Sequence, residues 1–174
     1  MKTFFTACTH FNHTNIIKYC DRPFSSVEIM NQTIQYNWNS KVTPEDEIYI
    51  LGDFALNCTS EWACNFVDSL NGKKYFIRGN HDRRLLEDKS FFNKFIWVRN
   101  QHYLMMDNIK ILLTHYEKPN FKINHNINYD LHLYAHDHAK VPTKNGNNKL
   151  YNVGVDANNF SPVEFNEILQ CLKK

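Results

Sequence analysis

The chain reads as an α/β protein: a four-layer α-β-β-α sandwich with two packed mixed sheets and helices outside. Three observations predict this. Over roughly the first 80 residues, short apolar runs alternate with apolar stripes at helical spacing. Beyond that, apolar runs follow one another separated by turn residues. Finally, polar clusters rich in Asp, Asn and His come directly after the apolar runs, where strand ends would deliver them. With 174 residues, a single domain over 1–174 is expected, long enough to bury a substantial core.

Taken in order, Lys2 to Cys8 is a strand that enters a polar loop of His and Asn. Ser25-Ser26 caps a helix, with Glu28 in its first turn and Ile29, Met30, Thr33, Ile34 and Trp38 recurring along it. Pro44-Glu45-Asp46 turns the chain into a strand at Glu47 to Leu51. Ser60 caps a second helix carrying Trp62, Ala63, Phe66, Val67 and Leu70, ended by Asn71-Gly72. Lys73 to Arg78 is the third strand, and βαβαβ order predicts parallel strands with right-handed crossovers. Arg83 to Asp88 is a short helix, followed by strands near Phe95–Val98, Tyr103–Met106 and Ile109–Leu113, with Asp107-Asn108 as a hairpin turn. Lys118 to Asp130 lacks periodicity and reads as a long loop. Leu131–Ala135 and Leu150–Val153 are further strands, the second preceded by a turn at Asn145-Gly146-Asn147-Asn148. Pro162 starts a last helix that turns Val163, Phe165, Ile168, Leu169 and Leu172 inward.

Bulk properties exclude more than they identify. A net charge of +2 is too small to point to nucleic acid, and basic pairs such as Arg83-Arg84 and Lys173-Lys174 read as solvated surface. No apolar run approaches a membrane span, and Met1-Lys2-Thr3-Phe4-Phe5 is too short to read as a secretory signal. Five irregularly spaced cysteines fit a reducing compartment, so a cytoplasmic location is expected.

The chemistry is concentrated in Gly79-Asn80-His81-Asp82, directly after the apolar Tyr75-Phe76-Ile77. Leu51-Gly52-Asp53 and Tyr134-Ala135-His136-Asp137-His138 stand in the same relation to other apolar runs. Cys8 and His10 are two apart, as are His136 and His138, so in extended backbone each pair projects to one side. His115 follows one more strand. Imidazoles, a carboxylate and an amide oxygen converging on strand ends suit Mn, Fe, Zn or Ni better than Ca or Mg. A central Asp is able to bridge two ions about 3.5–4 Å apart, the spacing used in phosphoryl chemistry.

His10, Gly52-Asp53, Gly79-Asn80-His81-Asp82, Thr114-His115 and Ala135-His136-Asp137-His138, in this order, resemble the calcineurin-like metallophosphoesterases. The resemblance spans the chain and is closest to small single-domain members, which share segments like Arg22-Pro23-Phe24, Asn37-Trp38-Asn39 and Asn152-Val153-Gly154-Val155-Asp156. It implies two divalent transition-metal ions at the C-terminal ends of strands. One would be held by Cys8, His10, Asp53 and His138, the other by Asp53, Asn80, His115 and His136. It also implies attack of a bridging hydroxide on phosphorus, with His81 as general acid and Asp82 orienting its ring. The implied substrate is a small phosphorylated, nucleotide-like molecule, most plausibly a phosphodiester or cyclic nucleotide; neither a membrane partner nor a nucleic-acid groove is indicated.

Three positions depart from that pattern. Cys8 stands where the family carries Asp, Ala135 where it carries Gly, and Asn12 where close relatives commonly carry Gly. A positive-φ residue at Ala135 would cost about 1–2 kcal/mol. Cys8 leaves three outcomes open: a site rebuilt for a softer metal, a site with one ion weakened, or a degenerate site. The last would make the chain a phosphate-binding or protein-interaction module instead of a phosphoesterase. His13 reads equally as a substrate contact or a solvated residue, Arg22 and Arg78 as braces before anion guides, and Asp156 as a loop tie. Phe11, Tyr116 and Phe121 are candidates to line a pocket; His102, His125 and His132 lie outside every motif, and Cys58 and Cys64 read as core.

Overall fold

Side-chain alternation organises the first sheet. In β1 (Thr3–Thr6), β2 (Glu47–Ile50) and β3 (Lys73–Ile77), successive residues leave opposite faces. Phe4, Ile48, Ile50 and Phe76 therefore enter one buried cluster, while Phe5, Tyr49 and Ile77 enter another. The structure is a computed structural model and describes residues 1–117, 128–140, 143–144 and 149–173. The three strands are parallel, with Phe4 beside Ile48 and Tyr49 beside Tyr75. β4 (Val98–Arg99) continues the parallel order, and β10 (Val163–Glu164) closes the other edge antiparallel to β1.

On one face of this sheet lie α1 (Thr14–Tyr19), α2 (Val27–Lys41), α3 (Ser60–Asp68), α4 (Arg83–Leu86) and α5 (Lys89–Phe92). They press Ile16, Met30, Ile34, Trp38, Ala63, Val67, Leu85 and Phe91 onto Phe4, Ile48, Ile50 and Phe76. Burying a side chain such as Phe76 contributes about 1.5–3 kcal/mol. Trp38 is fully buried, its indole N–H donating to the Asn71 carbonyl at 2.9 Å.

The second sheet runs β5 (Gln101–Met106), β6 (Ile109–Thr114), β7 (Leu131–Tyr134), β9 (Lys149–Asn152) and β8 (Thr143–Lys144). Asp107 and Asn108 both take positive φ, 48° and 62°, as a tight β5–β6 hairpin requires. Ile111, Leu113, Leu131, Leu133 and Tyr151 pack against Phe5, Tyr49 and Ile77 of the first sheet, and α6 (Phe165–Leu172) adds Phe165 and Ile168. Two mixed sheets packed face to face are as expected from the residue pattern; α1 to α5 form an outer layer on the first sheet, while α6 joins the core between the sheets.

Differences from the sequence reading are local. α1 occupies what reads as a polar loop, because one buried residue, Ile16, gives no visible stripe. Phe95 lies in the core below α5, so the strand there shrinks to Val98–Arg99. Thr59, one residue before the expected Ser60, caps α3 by accepting the Trp62 N–H. Val163 belongs to β10, and α6 starts after Glu164, in a capping box with Glu167. Phe121, His125 and the expected turn at 145–148 lie outside the described residues, as does most of the 118–130 loop.

Candidate metal centre

All five polar clusters leave the C-terminal ends of β1, β2, β3, β6 and β7, and neighbouring ends are tied together by backbone hydrogen bonds. Cys8 N–H donates to Gly52 O at 2.9 Å, His10 N–H to Asp53 O at 3.0 Å and Ala135 N–H to His115 O at 2.9 Å. A parallel bridge between Ala7 and Gly154 joins the two sheets at this end.

The chain here is not extended. Cys8, His10, Asp53, His136 and His138 all adopt left-handed backbone, with φ of 52°, 50°, 56°, 74° and 49°. Each such non-glycine residue costs about 1–3 kcal/mol and persists only where its surroundings enforce it. Cys8 and His10 still come together, but by left-handed kinks and not by strand alternation, while His136 and His138 part, one toward His115 and the other toward His10 and Cys8. Ala135 has no positive φ, so the feared backbone cost of its methyl is absent. Asn12 does, at 60°, and asparagine tolerates it while its amide N–H donates to Asn57 O at 2.7 Å.

Two glycines allow the close approach. A Cβ on Gly79 would lie 2.2 Å from Asp53 Oδ1, and one on Gly52 would lie 2.5 Å from the Gly79 nitrogen. The Asp53 carboxylate is thus pressed against β3's outgoing loop, with Oδ1 accepting the His81 N–H at 2.9 Å. Its other oxygen, Oδ2, lies 3.3 Å from His115 Nε2 and 3.6 Å from His10 Nε2. Burial alone would raise the Asp53 pKa; the hydrogen bond and charge of His115, then His10, hold it down to about 2.

On the His115 side, Nε2 also lies 3.2 Å from Asn80 Oδ1 and 3.2 Å from His136 Nδ1. His115 Nδ1 is 2.7 Å from the Leu51 carbonyl, which accepts an N–H there, so in the neutral ring the lone pair lies on Nε2, facing Asp53; without an ion the Asp53 carboxylate favours a proton on that nitrogen. Donor atoms about 2.0–2.1 Å from a common ion lie about 3.0–3.4 Å from each other, so this spacing fits a metal.

On the other side, the potential ligand atoms of Cys8, His10 and His138 all lie within 4.8 Å of one another. Both ring nitrogens of the buried His10 lack a hydrogen-bond partner among the described residues. An unsatisfied buried polar group is costly, and an ion between these side chains would satisfy it. Burial raises the Cys8 thiol well above its usual pKa, and the Asp53 charge adds to this. A bound cation would reverse that.

Sequence reasoning underrated one group. Arg22 is buried and forks onto Asp156 with two contacts of 2.8 Å, while its remaining N–H groups donate to Thr9 O at 3.0 Å and Cys8 O at 2.7 Å. Asp156 also meets His138 Nδ1 at 2.8 Å, leaving Nε2 for the site. Arg22 and Asp156 thus brace Cys8 and His138. The sequence offered Arg22 as a brace and Asp156 as a loop tie, each in a segment shared with small family members, but across 134 positions no spacing rule pairs them.

Asp82 corrects an expectation. It is fully buried, and its carboxylate accepts the backbone N–H groups of Asp53, Phe54 and Gly79 at 2.8, 2.9 and 2.7 Å. Among the described residues no hydrogen bond joins it to the His81 ring; it shapes the loops that carry Asp53 and Asn80. His81 itself is exposed, its ring 5.5 Å from that of His10 and 6.5 Å from that of His13. His13 is buried, with Nδ1 unpartnered among the described residues. Phe11 is not a pocket wall but core, 4.4 Å from the Phe66 ring. Tyr116 does face the site, its ring 4.6 Å from His136. Cys58 and Cys64 pack in the helix-side core as expected, and His102 lies against Trp97 and Arg99.

A family model described as the calcineurin-like phosphoesterase superfamily domain matches residues 1–162. An uncharacterised protein of Methanocaldococcus jannaschii is 37% identical, over 99% of this chain and 92% of its own length. Among solved structures, a protein of unknown function from Aquifex aeolicus superposes with a TM-score of 0.74 at 24% identity, covering 98% of each chain. A novel archaeal phosphodiesterase shares the fold with a TM-score of 0.51 at 18% identity, over 88% of this chain and 84% of that one.

Proposed function

The chain belongs to the calcineurin-like phosphoesterase superfamily, and from that premise we propose that it hydrolyses phosphate esters with two divalent transition-metal ions, acting on phosphodiesters of small nucleotides. One observation carries this reading: the buried Asp53 carboxylate is approached by imidazoles from both sides, His10 at 3.6 Å and His115 at 3.3 Å. A single oxygen shared by two donor sets is what a bridging ligand needs.

Cys8, His10 and His138 would hold one ion with Asp53; Asn80, His115 and His136 would hold the other. When bound, such ions neutralise phosphate oxygens and lower the pKa of water. The protein's own residues do the rest. Asp82 and the two glycines keep Asp53 in place, and the Leu51 carbonyl and Asp156 fix the rings of His115 and His138. His81 stands exposed at the rim, where its ring reaches a leaving oxygen and hands it a proton.

The test combines elemental analysis after reloading with Mn or Zn and hydrolysis of bis(p-nitrophenyl) phosphate. Two ions per chain and turnover are expected, with Asp53→Asn lowering kcat/KM by at least about 10²–10³-fold. One ion or none, with no turnover under either metal, would instead favour the degenerate binding module that Cys8 raises.

A further inference from the structure

We propose that the cavity beside the His115 side of the centre binds a second anionic group of the substrate, so that the preferred phosphodiester carries an additional phosphate. This rests on the phosphoesterase reading above and narrows its substrate class. The cavity has a volume of about 530 Å³, the size of a small-ligand pocket. It adjoins the centre through two neighbours of the donor residues: Gly79, which precedes Asn80, and Tyr116, which follows His115.

Its walls combine charge and flat apolar surface: Arg78 and Arg83, the aromatic ring of Tyr116, Leu86, and the amide of Asn100. Arg83 is matched with Glu87, also on the wall, at 3.1 Å, but both side chains are highly exposed and such a pair is weak. Arg78 differs. Its backbone N–H is anchored to Arg99 O at 2.8 Å, yet its exposed side chain has no hydrogen bond or ion pair among the described residues. Arg22 shows what a structural arginine looks like in this protein, with every arm engaged and the side chain buried. An uncommitted guanidinium on an anchored backbone, in a cavity that Tyr116 also lines, is suited to forked recognition of a phosphate on a nucleotide.

The dinucleotide ApA and its 5′-phosphorylated form pApA differ by one such phosphate. The metal-loaded enzyme should prefer pApA, and Arg78→Met should reduce the ratio of kcat/KM for pApA over ApA by at least about tenfold. In the metal-free protein, calorimetric titration with pApA should show weaker binding to Arg78→Met by a similar factor, with an unchanged melting temperature. A ratio and a pApA affinity both unmoved by the substitution would overturn the proposal, as would a parallel loss on both substrates. If neither dinucleotide nor bis(p-nitrophenyl) phosphate is hydrolysed, the phosphoesterase reading fails by itself. Arg78-dependent pApA binding would then still support the pocket, and its absence would overturn it.

Discussion

The two sides of Asp53 are built differently. The His115 side faces solvent through Asn80 and His136, and its three donor atoms already crowd around Nε2 at 3.2–3.3 Å. The Leu51 carbonyl orients its His115 ring, Asp82 holds the loops that carry Asp53 and Asn80, and the His136 N–H donates to Cys8 Sγ at 3.4 Å. The Cys8 side is more enclosed: Cys8 is wholly buried, His10 is 1% exposed, and the His138 side chain is 19% exposed. There the order comes from a buried Arg22–Asp156 ion pair gripping the Cys8 carbonyl and the His138 ring. The difference teaches that the thiol, its pKa raised by burial, sits in the more enclosed half, whereas the half that opens to solvent is lined by Asn80, His115 and His136. An ion should therefore matter more to folding on the Cys8 side, and access to substrate more on the His115 side.

The most disruptive way to test this is Asp156→Asn. It leaves the buried Arg22 without its counter-charge, at a cost of about 3–5 kcal/mol of stability, and releases His138, weakening the ion on that side about 10–100-fold. Thermal unfolding and chelator competition should show the loss confined to one of two sites; equal weakening of both would erase the distinction. Cys8→Asp is the sharper and gentler probe. Restoring a hard carboxylate should raise Mn-supported turnover by about tenfold, the low end for an altered ligand sphere, and reduce the preference for Zn. A fall with Mn would mean that the pocket has adapted to sulfur.

A third effect, on stability alone, is expected beneath the His115 side. His132 is buried and 2.7 Å from Thr114 Oγ1, whose own O–H donates to the Tyr116 carbonyl at 2.6 Å. Since that hydroxyl proton is committed, His132 Nε2–H must be the donor to Thr114. Burial depresses the His132 pKa from 6.5 to about 4. Between those values the unfolded chain binds more protons than the folded one, so stability falls as pH drops from 6.5 to 4. The full loss from this group is about 3 kcal/mol. Denaturant unfolding across that window should show a flatter pH dependence for His132→Asn; an unchanged slope would assign it to other groups.

Much of the molecule was legible beforehand. β1, β2, β3, α2 and α3 follow from apolar spacing and caps, because each buries a periodic stripe and local chemistry ends it. α1 and β10 were not, since six and two residues carry too little pattern; they form because a core and a sheet edge are waiting for them. In the centre, Cys8, His10, Asp53, Asn80, His115, His136 and His138 could be named from their positions after apolar runs, and the structure brings them together. The role of Asp82 could not be read, because its partners are backbone N–H groups that carry no residue identity.

What the sequence by itself determined was the residue types, their order after each strand and the two glycines that let loops touch. Periodicity and side-chain size are local properties, and they suffice for that. Only the tertiary structure decided which way the donors point, because the left-handed residues are held by groups remote in the chain: Gly52 O takes the Cys8 N–H, Asp53 O the His10 N–H, Cys8 Sγ the His136 N–H, and Asp156 meets the His138 ring. It also decided that Arg22 and Asp156, remote in the chain, share one buried ion pair beneath the site. Long-range electrostatics in a dry interior depends on which groups meet, and the fold alone sets that.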